Sequence, residues 1–409
     1  MTRNAEEPGL RRAIGLPLLV LYGLGVTIGA GIYVLVGTTA ARAGIHAPAA
    51  FLLAAVVMGF SAGSFAEFSG RIPQAAGEAV FVDAGFRRNW LTLWTGLFVV
   101  MSAIVASAAI ALGAAGYMEL LVPLPHGVLV AGIILAMTAI AARGVRESLG
   151  FAAVMTLIEV AGLAVVVGAG LWQDPGMLAR LPSALPPLGD GAAMTGVISA
   201  SLIAFFAFLG FDDTINMVEE VHDPRRVVPL ALFISLAAVT VIYVLVTFVA
   251  VQSLPPEELG ASAAPIALLY ERLTGVSPVV VTLIGIVATM NGIVIQIIMA
   301  ARVLYGLARK GRLPAALGRV HPASRTPVIA TLAVGGLVLA LALTLPLEAL
   351  AEWSSVVILA VFLLVNLALV RIKRRGDPAP DGIVTVPLIV PSLGALFCAA
   401  LLAGAVVTF

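Results

Sequence analysis

Three groups of residues in this chain have types and spacings that could do chemistry. The first is glycine. The stretch "GLGVTIGAGIYVLVG" (23–37) holds Gly23, Gly25, Gly29, Gly31 and Gly37 inside an apolar segment, with Thr27 among them. Small residues four apart let helices approach closely in lipid. Several glycines together, each costing a helix about 1 kcal/mol relative to alanine, favour a break in mid-span instead. A break offers free N–H groups at the start of its second half and free carbonyls at the end of its first. The former attract anions and the latter cations. Such backbone survives at that depth where it is buried in protein or lines a cavity, so it suits a small charged or zwitterionic solute.

The second group is acidic. "FFAFLGFDDTINMVEE" (205–220) is apolar until Gly210, then carries Asp212 and Asp213 inside the long segment 191–220. A carboxylate near the bilayer centre costs about 2.5–3.5 kcal/mol on the insertion scale. An early helix end would put both in water, but the length of the segment and the flexible Gly210 favour a second broken helix. The third is Glu159, near the middle of the apolar segment 149–171. Facing lipid it would be costly, so it must face protein. There it could load and release a proton, hold a broken-helix carbonyl as a permanent acid, or meet a substrate amine. Glu67 and Arg71, with Glu219, Glu220 and Arg225, lie at the same ends of their segments. They read either as an ion-pair gate or as solvated helix ends worth about 0–1 kcal/mol per pair.

Other chemistries find no support. Cys398 is the sole cysteine and His46, His126, His222 and His321 are scattered, so no metal site, disulfide or cofactor is expected. No P-loop or catalytic constellation argues for an enzyme, and no hydrophilic stretch is long enough for a sensor's output domain.

The elements that must position these groups are membrane helices. Of 409 residues 61 % are hydrophobic and 11 % charged, against about 25 % charged in a soluble protein. The mean hydropathy is +1.11. Apolar segments fall at 15–41, 48–69, 91–117, 127–142, 149–171, 191–220, 227–251, 277–308, 328–345, 348–370 and 386–409, which gives eleven spans. Their alternation puts nineteen lysines and arginines on one side, Arg3, Arg11, Arg12 and Arg146 among them. Only Arg42, Arg180 and Arg272 fall on the other, and Arg302 lies inside a span. The asymmetry predicts a cytoplasmic N-terminus (1–14) and an outer C-terminus, and it explains the basic segment after span 8 without nucleic acid. Residues 1–12 lack a secretory leader pattern. The polar segment 71–89 is expected along the cytoplasmic face, and "APIALLYERL" as a short helix over the outer mouth. The interrupted spans are numbers 1 and 6, as in transporters built from inverted repeats. Spans 1–5 (15–171) and 6–10 (191–370) would be the repeats, with 371–409 a basic loop and a terminal helix.

With "GLGVTIGAGIYVLVG", "FAEFSGRIPQAAGEAVFV" (65–82), "FFAFLGFDDTINMVEEVHDPRRVVPLAL" (205–232) and "AARVLYGLARKGRLPAALGRVHPASRTPVIA" (300–330) in their usual places, the chain resembles the amino acid–polyamine–organocation transporter superfamily over about residues 10–375. The resemblance implies an all-α polytopic protein with the five-plus-five inverted-repeat fold of the sodium–leucine symporters, helices 1 and 6 broken, and alternating access. It implies that a substrate carboxylate meets the N–H groups of Gly29, Ala30 and Gly31, and an α-ammonium the carbonyls around Phe206, Ala207 and Leu209. Phe206 would be an aromatic gate and Phe208 a pocket wall. Two departures stand out: eleven spans instead of the usual twelve, and Glu159 where many relatives carry a helix 5 lysine. The expected function is amino acid transport across the cell membrane driven by protons, with Glu159 as candidate coupling group. The alternative is exchange of a polyamine or other organic cation. A larger side chain at Gly31 is expected to block binding and leave the fold intact.

Overall fold

The computed structural model describes residues 14–73, 77–143, 149–187, 189–322 and 324–408. The N-terminal segment 1–14 lies, apart from Ile14, outside the described residues, as do Arg3, Arg11, Arg12 and Arg146. Apart from one isolated bridge, Ile14 to Val221, the described residues form no β-structure.

Among the described residues eleven apolar segments follow one another, numbered here as spans 1 to 11. Span 1 is α1 (Leu16–Ala30) and α2 (Ile32–Ala43), separated by Gly31 alone. Spans 2 to 5 are α3 (Ala47–Arg71), α5 (Asn89–Glu119), α6 (His126–Arg143) and α7 (Leu149–Gln173). The short α4 (Gly77–Phe86) lies between α3 and α5. Span 6 is α8 (Gly191–Ala207) continued by a 3₁₀ segment, Asp212–Met217. Span 7 is α9 (Pro224–Ser253), and α10 (Pro256–Ala261) and α11 (Pro265–Thr274) follow it, the latter where a short helix was expected. Spans 8 to 11 are α12 (Val279–Arg309), α13 (Val328–Thr344), α14 (Leu347–Arg374) and α15 (Ile389–Thr408). Eight apolar stretches are long enough to cross a membrane alone, and α1, α13 and α15 are shorter.

The packing repeats with a period of five spans. α2 packs on α8, α3 on α9, α5 on α12 and α6 on α13, so each of spans 1 to 4 meets the span five places later. The contact of α1 with α7 is matched by that of α8 with α14.

The glycines of span 1 let neighbours close in from several sides. A Cβ at Gly23 would lie 2.9 Å from the hydroxyls of Ser235 and Thr214, one at Gly25 2.1 Å from Thr156 Oγ1, one at Gly29 2.8 Å from Ala288 O. Span 1 is therefore the hub of the bundle, and close packing accounts for most of its glycines. The segment α4 differs from the expected surface helix. Phe81 stacks on Phe68 with centroids 4.7 Å apart, and Gly85 sits against the α14 backbone at Ala368. Its apolar face, Phe81 and Val82, is fully buried, which draws it into the bundle despite its polar flanks.

Candidate functional site

The two interrupted spans meet face to face. Helix α1 ends at Ala30, and Gly31 N–H bonds one residue short, to Ile28 O at 3.3 Å. That shift releases the carbonyl of Thr27. Helix α8 ends at Ala207, where Phe208 and Leu209 N–H turn back to Phe205 and Phe206 carbonyls. Gly210 then takes φ +104°, a left-handed value that favours glycine, and a Cβ there would also lie 2.7 Å from Val26 Cγ1. The interruption of span 6 thus depends on Gly210 for both conformation and space.

One side chain from span 7 joins the two interruptions. Tyr243 Oη lies 2.9 Å from both Thr27 O and Ala207 O, so the single proton of its hydroxyl is shared between the two carbonyls that the breaks expose. Its ring packs on Phe51 and Phe208, at 5.6 and 5.1 Å between centroids. A lone phenol in the apolar run "VTVIYVLV" is the signal that sequence reading passed over, because a buried tyrosine hydroxyl needs a partner. Tyr243→Phe should keep the ring contacts and leave two buried carbonyls without this donor. The expected cost is about 1–3 kcal/mol, read as a lower melting temperature in detergent. An unchanged melting temperature would mean that the hydroxyl fastens nothing.

The start of α2 is anchored to spans 3 and 5. Tyr33 hydroxyl donates to the backbone carbonyl of Glu159 at 3.1 Å, and Tyr117 hydroxyl to Tyr33 O at 2.7 Å. Glu159 itself is 1 % exposed, and neither carboxyl oxygen has a hydrogen-bond partner among the described residues. Its Oε2 lies 3.8 Å from where a Cβ on Gly29 would stand, so the carboxyl is aimed at the hub beside the break.

Of the residues singled out in the sequence, Gly29 and Ala30 are the last two of α1, and Gly31 is the interruption. Phe206, Ala207, Phe208 and Leu209 all lie buried at the end of α8 and its turn. Gly31 and Ala207 are in direct contact, since a Cβ on Gly31 would fall 2.4 Å from Ala207 Cα. The expectation that a bulky residue at Gly31 spares the fold is therefore corrected: that glycine is a packing contact as well.

Asp212 and Asp213 are both buried, at 9 % and 3 % exposure, not standing in water. With Glu78 of α4 and Gln296 of α12 they line a cavity of about 30 Å³ below the break, reached by Leu209 and Gly210. Burial, and next the Asp212 carboxyl, push the Glu78 carboxyl above its ordinary pKa.

Both ends of the bundle are tied. Glu67 is wholly buried and accepts from Arg71 Nε at 2.9 Å, Lys373 Nζ at 2.7 Å and Val386 N at 2.9 Å, fastening α3 to the end of α14 and the segment beyond. The other candidates stand elsewhere. Arg225 donates to Asp381 O at 3.0 Å, while Glu220 offers its backbone carbonyl to Ile14 N. Glu219, also near the end of span 6, is not part of the Glu67 cluster. At the opposite end Arg42 of α2 forks to Glu348 and Glu352 of α14 and to Ser199 of α8. Lys373 and this second tie were not singled out, because they join residues some three hundred positions apart.

Residues 14–409 match the family model described as Amino acid permease. Similar proteins include the Branched-chain amino acid permease BcaP of Bacillus subtilis, 28 % identical over 97 % of this chain and 88 % of the relative. The Methylthioribose transporter of the same organism is 28 % identical over 97 % and 89 %. Human Cationic amino acid transporter 4 is 30 % identical over 93 % of this chain, which spans 63 % of that relative's length.

Proposed function

The chain belongs to the amino acid permease family, and on that premise we propose that it is a secondary transporter moving an amino acid across the cell membrane by alternating access, coupled to protons. The observation that carries this reading is the meeting of two interrupted spans at Gly31 and Ala207 under Tyr243. The first turn of α2 has N–H groups with no carbonyl one turn back in their own helix, and the last turn of α8 has spare carbonyl capacity. Their partial charges suit the carboxylate and ammonium of one amino acid. In this reading the carboxylate comes to the break at Gly29, Ala30 and Gly31 and meets the N–H groups that open α2, because Gly31 N–H itself donates to Ile28 O in this state, while Phe206, Ala207 and Leu209 face the ammonium and Phe208 closes the wall.

The contact of Gly31 with Ala207 and the ties at both ends support reading this arrangement as a closed state. Substrate enters when the Arg42 fork lets α2 and α14 part, and leaves when the Glu67 cluster does the same opposite. The five-span period of the packing supports the assignment of 15–171 and 191–370 as inverted repeats. The basic loops support a cytoplasmic N-terminus. A reporter active only in the cytoplasm should then be bright when inserted at 376–382 and dark when inserted between Trp172 and Gly191; the opposite pattern would invert the molecule.

A second reading, a carrier of polyamines or organic cations, is favoured by one observation: the unpartnered Glu159 carboxyl beside Gly29. A panel of leucine, lysine, putrescine and methylthioribose, tested on purified protein in liposomes, separates the readings. Counterflow of an amino acid, with accumulation when the outside is acid, is the expected result. Exchange of putrescine with no amino acid moved would replace the first reading by the second, and movement of methylthioribose alone would overturn both.

A further inference from the structure

Arg302 lies within span 8, and neither the proposed site nor the two ties use it. It stands seven residues before the end of α12, about 10 Å into the span by helix rise. With Arg325 it lines a cavity of about 80 Å³ where α6, α12 and α13 pack together at the basic end of the bundle. Both arginines are exposed; among the described residues no carboxylate lines the cavity and neither guanidinium has a hydrogen-bond or ion-pair partner. The nearby hydroxyls are committed: Thr326 donates to Ala142 O at 2.6 Å and Thr331 to Pro327 O at 3.1 Å.

The loop that presents Arg325 is held firmly. His321 N–H donates to Thr326 O and Arg325 N–H to His321 O, both at 2.9 Å, while Thr326 pins the loop to α6. Arg325 has φ +55°, an unfavourable value for a residue with a side chain, kept here by those bonds. A guanidinium at the depth of Arg302 extends along its stem towards the headgroup level. The two guanidinium groups line this cavity with no anion beside them among the described residues.

We propose that Arg302 and Arg325 form a binding site for the phosphate headgroup of an anionic phospholipid, seated between α6, α12 and α13. Arginine forks match phosphate oxygens bidentately, and basic pockets between membrane helices are a recurring way of holding acidic headgroups. The cavity takes a single phosphate group while the acyl chains lie along the exposed apolar faces outside, where Leu135 and Leu332 stand 60 % and 56 % exposed. The leaflet is the cytoplasmic one if the proposed orientation holds, but the site itself does not depend on that orientation or on the transported substrate.

Native mass spectrometry of the full-length protein with phosphatidylglycerol and phosphatidylcholine tests this. The expected result is a retained phosphatidylglycerol adduct that Arg302→Gln/Arg325→Gln weakens roughly tenfold or more, the order expected for removing two guanidinium charges from an anionic headgroup. Arg302→Lys/Arg325→Lys, which keeps the charge, should retain most of it and shows that a folded variant still reads the site. Lys310→Gln/Arg374→Gln, which removes charge from the same face outside the cavity, should leave the adduct unchanged. Equal loss from that pair would reduce the effect to diffuse surface charge and overturn the proposal. Displacement by millimolar inorganic phosphate would show a site for the free ion instead of a lipid, and would overturn it too.

Discussion

Gly31→Leu is expected to remove folded protein from the membrane, not only to stop transport. A Cβ at this position lies 2.4 Å from Ala207 Cα, 2.5 Å from Ala207 Cβ and 2.7 Å from Ala207 O. Two of those three atoms are backbone and cannot rotate aside, so α2 must leave α8. Separation also pulls Ala207 O and Thr27 O away from their common donor Tyr243. Overpacking of this kind costs about 3 kcal/mol, the upper end of its usual range, against a total stability of roughly 5–15 kcal/mol. Size-exclusion chromatography of a fluorescent fusion should show aggregate in place of the monodisperse peak. Gly59→Leu is the control, because nothing lies within 4 Å of a Cβ there, and its peak should match the parent. If Gly31→Leu is monodisperse and stable yet binds nothing, the two half-helices part readily at rest and the site stands open in the absence of substrate.

The same glycine shows how far sequence reading reaches. Crowded glycines in an apolar segment announced an interruption, and the interruption falls at Gly31. What the string of residues does not carry is the neighbour each glycine meets. Gly23, Gly25, Gly29 and Gly31 turn to α9, α7, α12 and α8 respectively, so a cost that reads as four helix breakers is shared among four close contacts. All eleven spans were legible because length and hydropathy alone define a crossing. The burial of α4 was not, since Glu78, Asp83 and the flanking arginines make its composition that of a surface helix. Charged partners were the least legible. Glu67 and Arg71 are one turn apart on one helix and so were visible, whereas Lys373 completes their cluster from the far end of the chain. Arg225, placed beside glutamates by its level in the membrane, meets the carbonyl of Asp381. Level is fixed by hydropathy; azimuth around each helix is fixed by packing, which a single sequence leaves open.

Glu159→Gln is expected to uncouple the carrier. The carboxyl is buried beside the hub glycine Gly29 and has no partner on either oxygen among the described residues, while the backbone carbonyl of the same residue takes the hydroxyl of Tyr33 from the first turn of α2. A shift of α2 against α7 therefore moves Tyr33 relative to Glu159 and changes the surroundings of the carboxyl. An acid whose setting differs between two states of a carrier can bind a proton in one and release it in the other, and only a differential affinity of that sort couples two equilibria. Glutamine keeps the shape and cannot titrate. With one proton moved per substrate, an imposed difference of one pH unit supports roughly tenfold accumulation. The variant should fall to a ratio near one while counterflow at symmetric pH continues, and the pH dependence of its exchange should flatten. The competing role has a different signature. Were Glu159 the partner of a substrate amine, the variant would lose counterflow of lysine or putrescine and still concentrate leucine under the gradient. If it concentrates every substrate as the parent does, the proton passes elsewhere. The buried carboxyls of Glu78, Asp212 and Asp213 below the break are then the acids left beside the path.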